Sequence, residues 1–190
     1  MCDTHYELLN SNKIKAVFLD RDGTINKDKG YVFRIEDMEI LPGVINGLKK
    51  LQKLGYKLIV ITGQSGIARG FYTLQDAEKF DLELARRLKE SGIVIEKFYR
   101  CPHHPDITGD CDCRKPKTGL VLEAAREFDI DLAESFFVGD KDSDILLGQN
   151  CGGATFWIRN NQYSLSDSTK PDYQVSGLDE VASIAEKLKK

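Results

Sequence analysis

The sequence has no apolar run long enough to cross a bilayer. The longest, such as residues 58–61, end after a few positions, whereas a spanning helix needs about 20. The amino end, residues 1–13, is polar, carries Asp3 and Glu7, and lacks the apolar core of a secretory leader, so none is expected. Charge of one sign is not in excess: 27 Lys and Arg stand against 30 Asp and Glu, a formal net charge of −3. This speaks against nucleic acid or an anionic membrane as the main partner and leaves room for a local cationic pocket that takes a small anion. There is no internal repeat, and the one polar, turn-rich stretch, residues 160–170, reads as a surface loop. Cysteine is sparse and uneven. Cys101, Cys111 and Cys113 crowd together, while Cys2 and Cys151 stand apart. Such crowding suggests a metal site rather than a disulfide framework, and with no export signal a reducing cytoplasm is the expected compartment.

What is present is ordinary globular composition, 41% apolar and 30% charged, in 190 residues. That length suits one domain with a sizeable core, and a single domain over residues 1–190 is expected. Short apolar runs alternate with helix-period stretches. Strands are expected at 14–19, 56–61, 97–100, 135–138 and 155–158. Helices are expected at 42–54, 73–91, 118–128, 143–150 and 179–189. Thr73 and Asp76 resemble a capping pair, and Gly55 and Gly92 are natural helix stops. The alternation predicts an α/β fold: a parallel sheet with helices on both faces. Ligands of such sheets bind beyond the carboxyl ends of the strands. There the sequence places Asp20-Arg21-Asp22-Gly23-Thr24, then Thr62-Gly63-Gln64-Ser65, then a Cys/His segment with Arg114-Lys115, then Gly139-Asp140-Lys141 with Asp144.

Asp20 and Asp22 lie two apart after an extended run, which puts them on one side. With Asp140 from another strand end they make a hard oxygen site that suits magnesium. Magnesium offsets the charge that would repel a carboxylate from a phosphate dianion. Asp20 can then attack phosphorus and form an aspartyl-phosphate, while Asp22 protonates the leaving oxygen and later deprotonates water. A bare Asp-x-Asp is commonplace; Asp-x-Asp-Gly-Thr straight after an apolar strand is far more specific. Cys101-Pro-His103-His104 with Cys111-Asp-Cys113 offers three thiols and two imidazoles, enough for a tetrahedral zinc site.

The stretch FLDRDGTIN, with GYV after it, resembles the first motif of haloacid-dehalogenase-type phosphatases. TGQSGIARG, CPHHP…CDCRKP and VGDKDSD extend the resemblance, over residues 15–149, to the heptose-bisphosphate phosphatase group, whose relatives include histidinol-phosphate phosphatase. The resemblance implies a Rossmann-like core, a three-layer sandwich with no large cap and a zinc-stapled loop at 101–113. It implies Asp20 as nucleophile and Asp22 as acid/base, whose backbone carbonyl also binds magnesium. Thr62 would hydrogen-bond the phosphoryl group, Lys115 would offset its charge, and Asp140 would complete the magnesium site. The zinc ligands would be Cys101, His103, Cys111 and Cys113, with His104 free. That closed four-ligand set implies a structural role, fixing the loop that leads into Arg114 and Lys115.

Substrate contacts are expected from Gly63, Gln64, Ser65, Arg69, Arg114 and Lys141. Arg69 reaches substrate or is an exposed structural arginine. Tyr31 lines the entrance or simply packs. Gly63 departs from the group, which usually has Asn there. The expected activity is hydrolysis of the 7-phosphate of a heptose 1,7-bisphosphate, for surface-polysaccharide synthesis, by a cytoplasmic monomer. The rivals are a histidinol-phosphate phosphatase and a sugar-phosphate-binding domain without turnover. The second phosphate of a bisphosphate needs extra cationic anchors, which Arg114 would help to supply.

Overall fold

A computed structural model describes residues 13–189; residues 1–12, with Cys2 and the polar stretch where no leader was expected, and Lys190 lie outside the described residues. The sheet has six parallel strands: β1 (Ala16–Leu19), β2 (Lys57–Gly63), β3 (Ile95–Cys101), β4 (Phe136–Gly139), β5 (Ala154–Ile158) and β6 (Tyr173–Val175). Their order is β3-β2-β1-β4-β5-β6. β1 is central, so its AVFL run is buried on both sides, as a parallel strand covered on both faces requires. Val17 and Leu19 sit opposite Leu58 and Val60 of β2, and opposite Phe136 and Val138 of β4. The strand order reverses at β1, where ligand crevices form in open α/β sheets.

The helices are α1 (Val44–Lys53), α2 (Leu74–Glu90), the single turn α3 (Pro105–Thr108), α4 (Gly119–Phe128), α5 (Asp142–Cys151) and α6 (Leu178–Leu188). One core cluster joins α1, α2 and α6 to one face through Leu48, Phe80, Leu84 and Val181. The other face packs on Val121 and Ala124 of α4 and Leu147 of α5. Each large buried side chain contributes roughly 1.5–3 kcal/mol. α1 and α6 approach so closely that a Cβ on Gly47 would lie 2.3 Å from the Leu178 carbonyl carbon. Thr73 caps α2: its Oγ accepts from the Asp76 amide at 3.2 Å, and Asp76 accepts from the Thr73 amide at 2.9 Å.

The result is a Rossmann-like three-layer sandwich. Between β1 and α1 only a 3-10 turn, Ile35–Asp37, intervenes, so among the described residues no cap of any size covers the crevice. Two features go beyond the sequence expectations. β6 is a three-residue edge strand, and the Cys/His loop contains the turn α3.

Candidate active site

The register of β1, β2 and β4 brings their carboxyl ends to one crevice. Asp20 follows β1, Thr62 and Gly63 close β2, and Asp140 follows β4. The crevice opens into a cavity of about 410 Å³ whose walls include Asp20, Asp22, Thr62, Gly63, Gln64 and Ser65. Arg114, Lys115 and Lys141 bring positive charge to the same cavity.

At its floor Asp20, Asp140 and Asp144 each place a carboxylate oxygen within 4.8 Å of the others, and all three are buried. Asp140 is fully buried, and among the described residues its Oδ1 has no hydrogen-bond donor. Burial, then the charge of Asp20, pushes the Asp140 carboxyl up to about 7. Burial raises Asp144 as well, against the pull of Lys115. A cation among these oxygens removes both penalties, so the donor set fits a hard divalent ion such as magnesium. The side chain of Asp22 is outside this cluster. It accepts from Arg21 at 2.7 Å, from Asn26 at 2.8 Å and from Gln64 at 3.1 Å. Asp144, for which the sequence supplied no role, provides the third carboxylate.

Lys115 reaches into the floor from the segment after the Cys/His loop. Its Nζ lies 2.6 Å from Asp20 Oδ1 and 2.5 Å from Asp144 Oδ1, and donates to the Ile61 carbonyl at 3.0 Å. Burial alone would depress this lysine; the two carboxylates outweigh it and hold it above its ordinary range. Lys141 is anchored 3.0 Å from Asp28 and lies 4.4 Å from the centre of the Tyr163 ring.

Cys101, His103, Cys111 and Cys113 come together in a second cluster. The sulfurs of Cys101 and Cys111 are 3.7 Å apart, those of Cys111 and Cys113 3.4 Å, and His103 Nδ1 is 3.1 Å from Cys113. Zinc–sulfur bonds of about 2.3 Å imply tetrahedral edges of about 3.8 Å, so a modest relaxation around an ion suffices. Cys101 ends β3, and Cys113 stands two residues before Lys115. A zinc ion here would tie an edge strand to the lysine of the floor.

Comparison with known proteins agrees with this geometry. A family model described as HAD-hydrolase-like matches residues 112–181. The chain is 42% identical over 164 residues to a D-glycero-alpha-D-manno-heptose-1,7-bisphosphate 7-phosphatase of Photorhabdus laumondii, covering 84% of this chain and 90% of that protein. The chain belongs to the HAD-like hydrolase family. It is also 51% identical over 140 residues to the beta-anomer 7-phosphatase of Helicobacter pylori, covering 73% of this chain and 80% of the relative. Among solved structures it resembles D,D-heptose 1,7-bisphosphate phosphatase from B. bronchiseptica, complexed with magnesium and phosphate. There the TM-score is 0.80 and the identity 29%, over 92% of this chain and 99% of that one.

Within this HAD-like site the expected substrate contacts divide. Gly63, Ser65, Arg114 and Lys141 line the cavity. Gln64 also lines it but is only 2% exposed. Its Nε2 donates to Thr62 at 2.8 Å and to Asp22, and its Oε1 accepts from Tyr72 at 2.6 Å. It braces Asp22 and Thr62 more than it faces solvent. Arg69 is not brought to the cavity wall; it meets His104 Nε2 at 2.7 Å. Tyr31 does line the entrance, in an unusual left-handed conformation (φ 49°), edge-on to Phe71.

Other residues became visible only in three dimensions. Arg21 is fully buried. It pairs with Asp22 and with Asp81 of α2, donates to the Val32 carbonyl at 2.7 Å and lies over the Phe80 ring. Asp28 and Tyr163 help to wall the cavity, and Asn160 touches Asp140. The available signal for Asn160 was its place just past β5, at the same sheet edge as the other strand ends.

Proposed function

We propose that this protein is a magnesium-dependent phosphatase that removes the 7-phosphate of D-glycero-D-manno-heptose 1,7-bisphosphate, as its relatives are named for doing. The observation that carries the reading is the buried Asp20 carboxylate, 2.6 Å from Lys115 and beside Asp140 and Asp144. Asp20 Oδ attacks phosphorus, the bond from phosphorus to the sugar oxygen breaks, and Asp22 gives that oxygen its proton. Asp22 then takes a proton from water as the water attacks the aspartyl-phosphate, releasing inorganic phosphate and restoring Asp20. Thr62 and Lys115 hold the phosphoryl oxygens. Asp20, Asp140, Asp144 and the Asp22 backbone carbonyl would hold magnesium, which neutralises phosphate charge. Arg114 and Lys141 supply the further positive charge that a second phosphate needs. Cys101, His103, Cys111 and Cys113 would hold zinc as a staple. The whole chain acts as one domain, and as a monomer in the cytoplasm.

The test is phosphate release, with magnesium, from both anomers of heptose 1,7-bisphosphate and from histidinol phosphate. The expected result is the highest specificity constant for a heptose bisphosphate, and loss of turnover by orders of magnitude in Asp20→Asn. A higher constant for histidinol phosphate would overturn the substrate reading. Absence of phosphate release from every phosphomonoester would leave a binding domain instead.

A further inference from the structure

We infer that Asn160 is a positioning residue for the cation site: its amide holds one oxygen of Asp140 so that the other stays free for magnesium. The inference rests on the proposed role of Asp20, Asp140 and Asp144 as magnesium ligands and extends it to a segment outside the motifs.

Asn160 stands two residues past β5, where the 160–170 segment begins. Its Oδ1 accepts from the backbone amides of Gln162 and Tyr163, each at 2.8 Å. Two N–H donors can face only the carbonyl end of a side-chain amide, so the NH2 end is the one that points at Asp140. There Nδ2 donates to Asp140 Oδ2 at 3.0 Å. Asp140 is confined on two further sides. The Trp157 indole donates to its backbone carbonyl at 3.1 Å. Gly23 lies against the same carboxylate, and a Cβ built there would come within 2.2 Å of Oδ2. Only glycine suits that spot, because its φ of +93° is also left-handed.

The other oxygen, Oδ1, is buried and has no hydrogen-bond donor among the described residues. Lys141 Nζ, at 4.0 Å, is too far to donate to it. The choice of group matters. A cation on Oδ2 would compete with magnesium for the carboxylate charge, and a carbonyl there would repel it. A neutral N–H fixes the orientation and leaves the charge in place, which is what an outer-sphere partner of a metal ligand does.

The segment has a second attachment that permits a control. Ser166 donates to Asp142 Oδ1 through its amide and its hydroxyl, both at 2.9 Å. Ser166→Ala therefore loosens the segment without touching the Asn160 amide.

The experiment uses the full-length, zinc-loaded protein. Magnesium chloride is titrated while melting temperature is followed, and separately while phosphate release is followed. Asn160→Ser keeps a short acceptor for the local turn but cannot reach Asp140. The half-saturating magnesium concentration should rise by roughly 10-fold or more in Asn160→Ser, the usual effect of losing an outer-sphere partner. The kcat at saturating magnesium should stay close to that of the unaltered protein. Ser166→Ala should keep the original magnesium dependence. A folded Asn160→Ser variant with unchanged half-saturation would overturn the inference while leaving the magnesium site standing. Equal weakening in Ser166→Ala would also overturn it, since the segment as a whole would then be responsible. If magnesium shifts neither melting temperature nor activity in the unaltered protein, the reading of the carboxylate cluster itself fails.

Discussion

Lys115→Met removes the ammonium group that bridges Asp20 and Asp144 on the floor while keeping an unbranched side chain of similar length. Lys115 has a side chain only 11% exposed, with Asp20 at 2.6 Å and Asp144 at 2.5 Å. Without it the group formed with Asp140 passes from a formal charge of −2 to −3, with three oxygens still within 4.8 Å of one another. Removing one partner from a buried ion pair costs about 3–5 kcal/mol. The Ile61 carbonyl also loses its donor, within the same range. Protonation can relieve the repulsion, because Asp140 is already pushed up to about 7. With Lys115 in place that carboxyl is largely neutral at pH 6 and mostly ionised at pH 8; Lys115 lowers it, so the variant pushes it further up. The deficit in stability should therefore be larger at pH 8 than at pH 6. Urea unfolding of both proteins in magnesium-free buffer at the two pH values measures it. Magnesium should then restore part of the stability at pH 8, but not turnover, because the phosphoryl group has lost its cationic partner. A deficit below about 1 kcal/mol at pH 8, the value of a solvent-exposed pair, would refute the reasoning.

The unaltered protein without magnesium should itself lose stability as pH rises. The Asp140 carboxyl is raised on folding, so its contribution is fully present below the ordinary carboxyl range and is lost as pH climbs through about 7. Magnesium should flatten that slope, and unfolding curves from pH 5 to about 8.5 would reveal a flat metal-free profile if the burial argument is wrong. Gly63→Asn should raise the specificity constant for the true substrate, or at least not lower it. A Cβ at Gly63 meets nothing within 4 Å, and one added hydrogen bond is worth about 0.5–1.5 kcal/mol, a several-fold gain. A well-folded variant with a much lower constant would mean that glycine is an adaptation to another substrate. Cys111→Ser should lower both melting temperature and activity, and metal analysis of the unaltered protein should find about one zinc per chain. Unchanged behaviour would dispose of the staple.

The periodic elements were legible because their signals are local. Each of the ten expected strands and helices forms, with ends displaced by no more than about two residues. β6 escaped because Tyr173–Val175 is too short to show alternation, and it pairs only along β5. In the site, residues next to strand ends could be placed by order alone, which is why Asp20, Thr62 and Asp140 meet. Orientation could not be read that way. Asp22 turns toward the neighbouring Arg21, whose guanidinium is also held by the distant Asp81, and toward Gln64 on another segment, while Asp144 of α5 supplies the third carboxylate. The 160–170 stretch has the composition of a solvated loop, and most of it is exposed. Its inward residues, Asn160 and Tyr163, are fixed by partners 20 and 135 positions away, a relation that no local window contains.

The buried Arg21 carries a consequence for how such a site tolerates sequence change. Its guanidinium joins Asp22 to Asp81, and Asp81 is shared with Arg100 of β3 at 2.6 Å. Neither Asp81 nor Arg100 lines the cavity. Asp81 is nevertheless two ion pairs, and Arg100 three, from Asp22, the proposed acid. In a screen that selects for turnover, positions 81 and 100 should behave as though they were in the active site. They should drift together or not at all, so that a map of tolerated mutations would draw the site's border well inside helix α2.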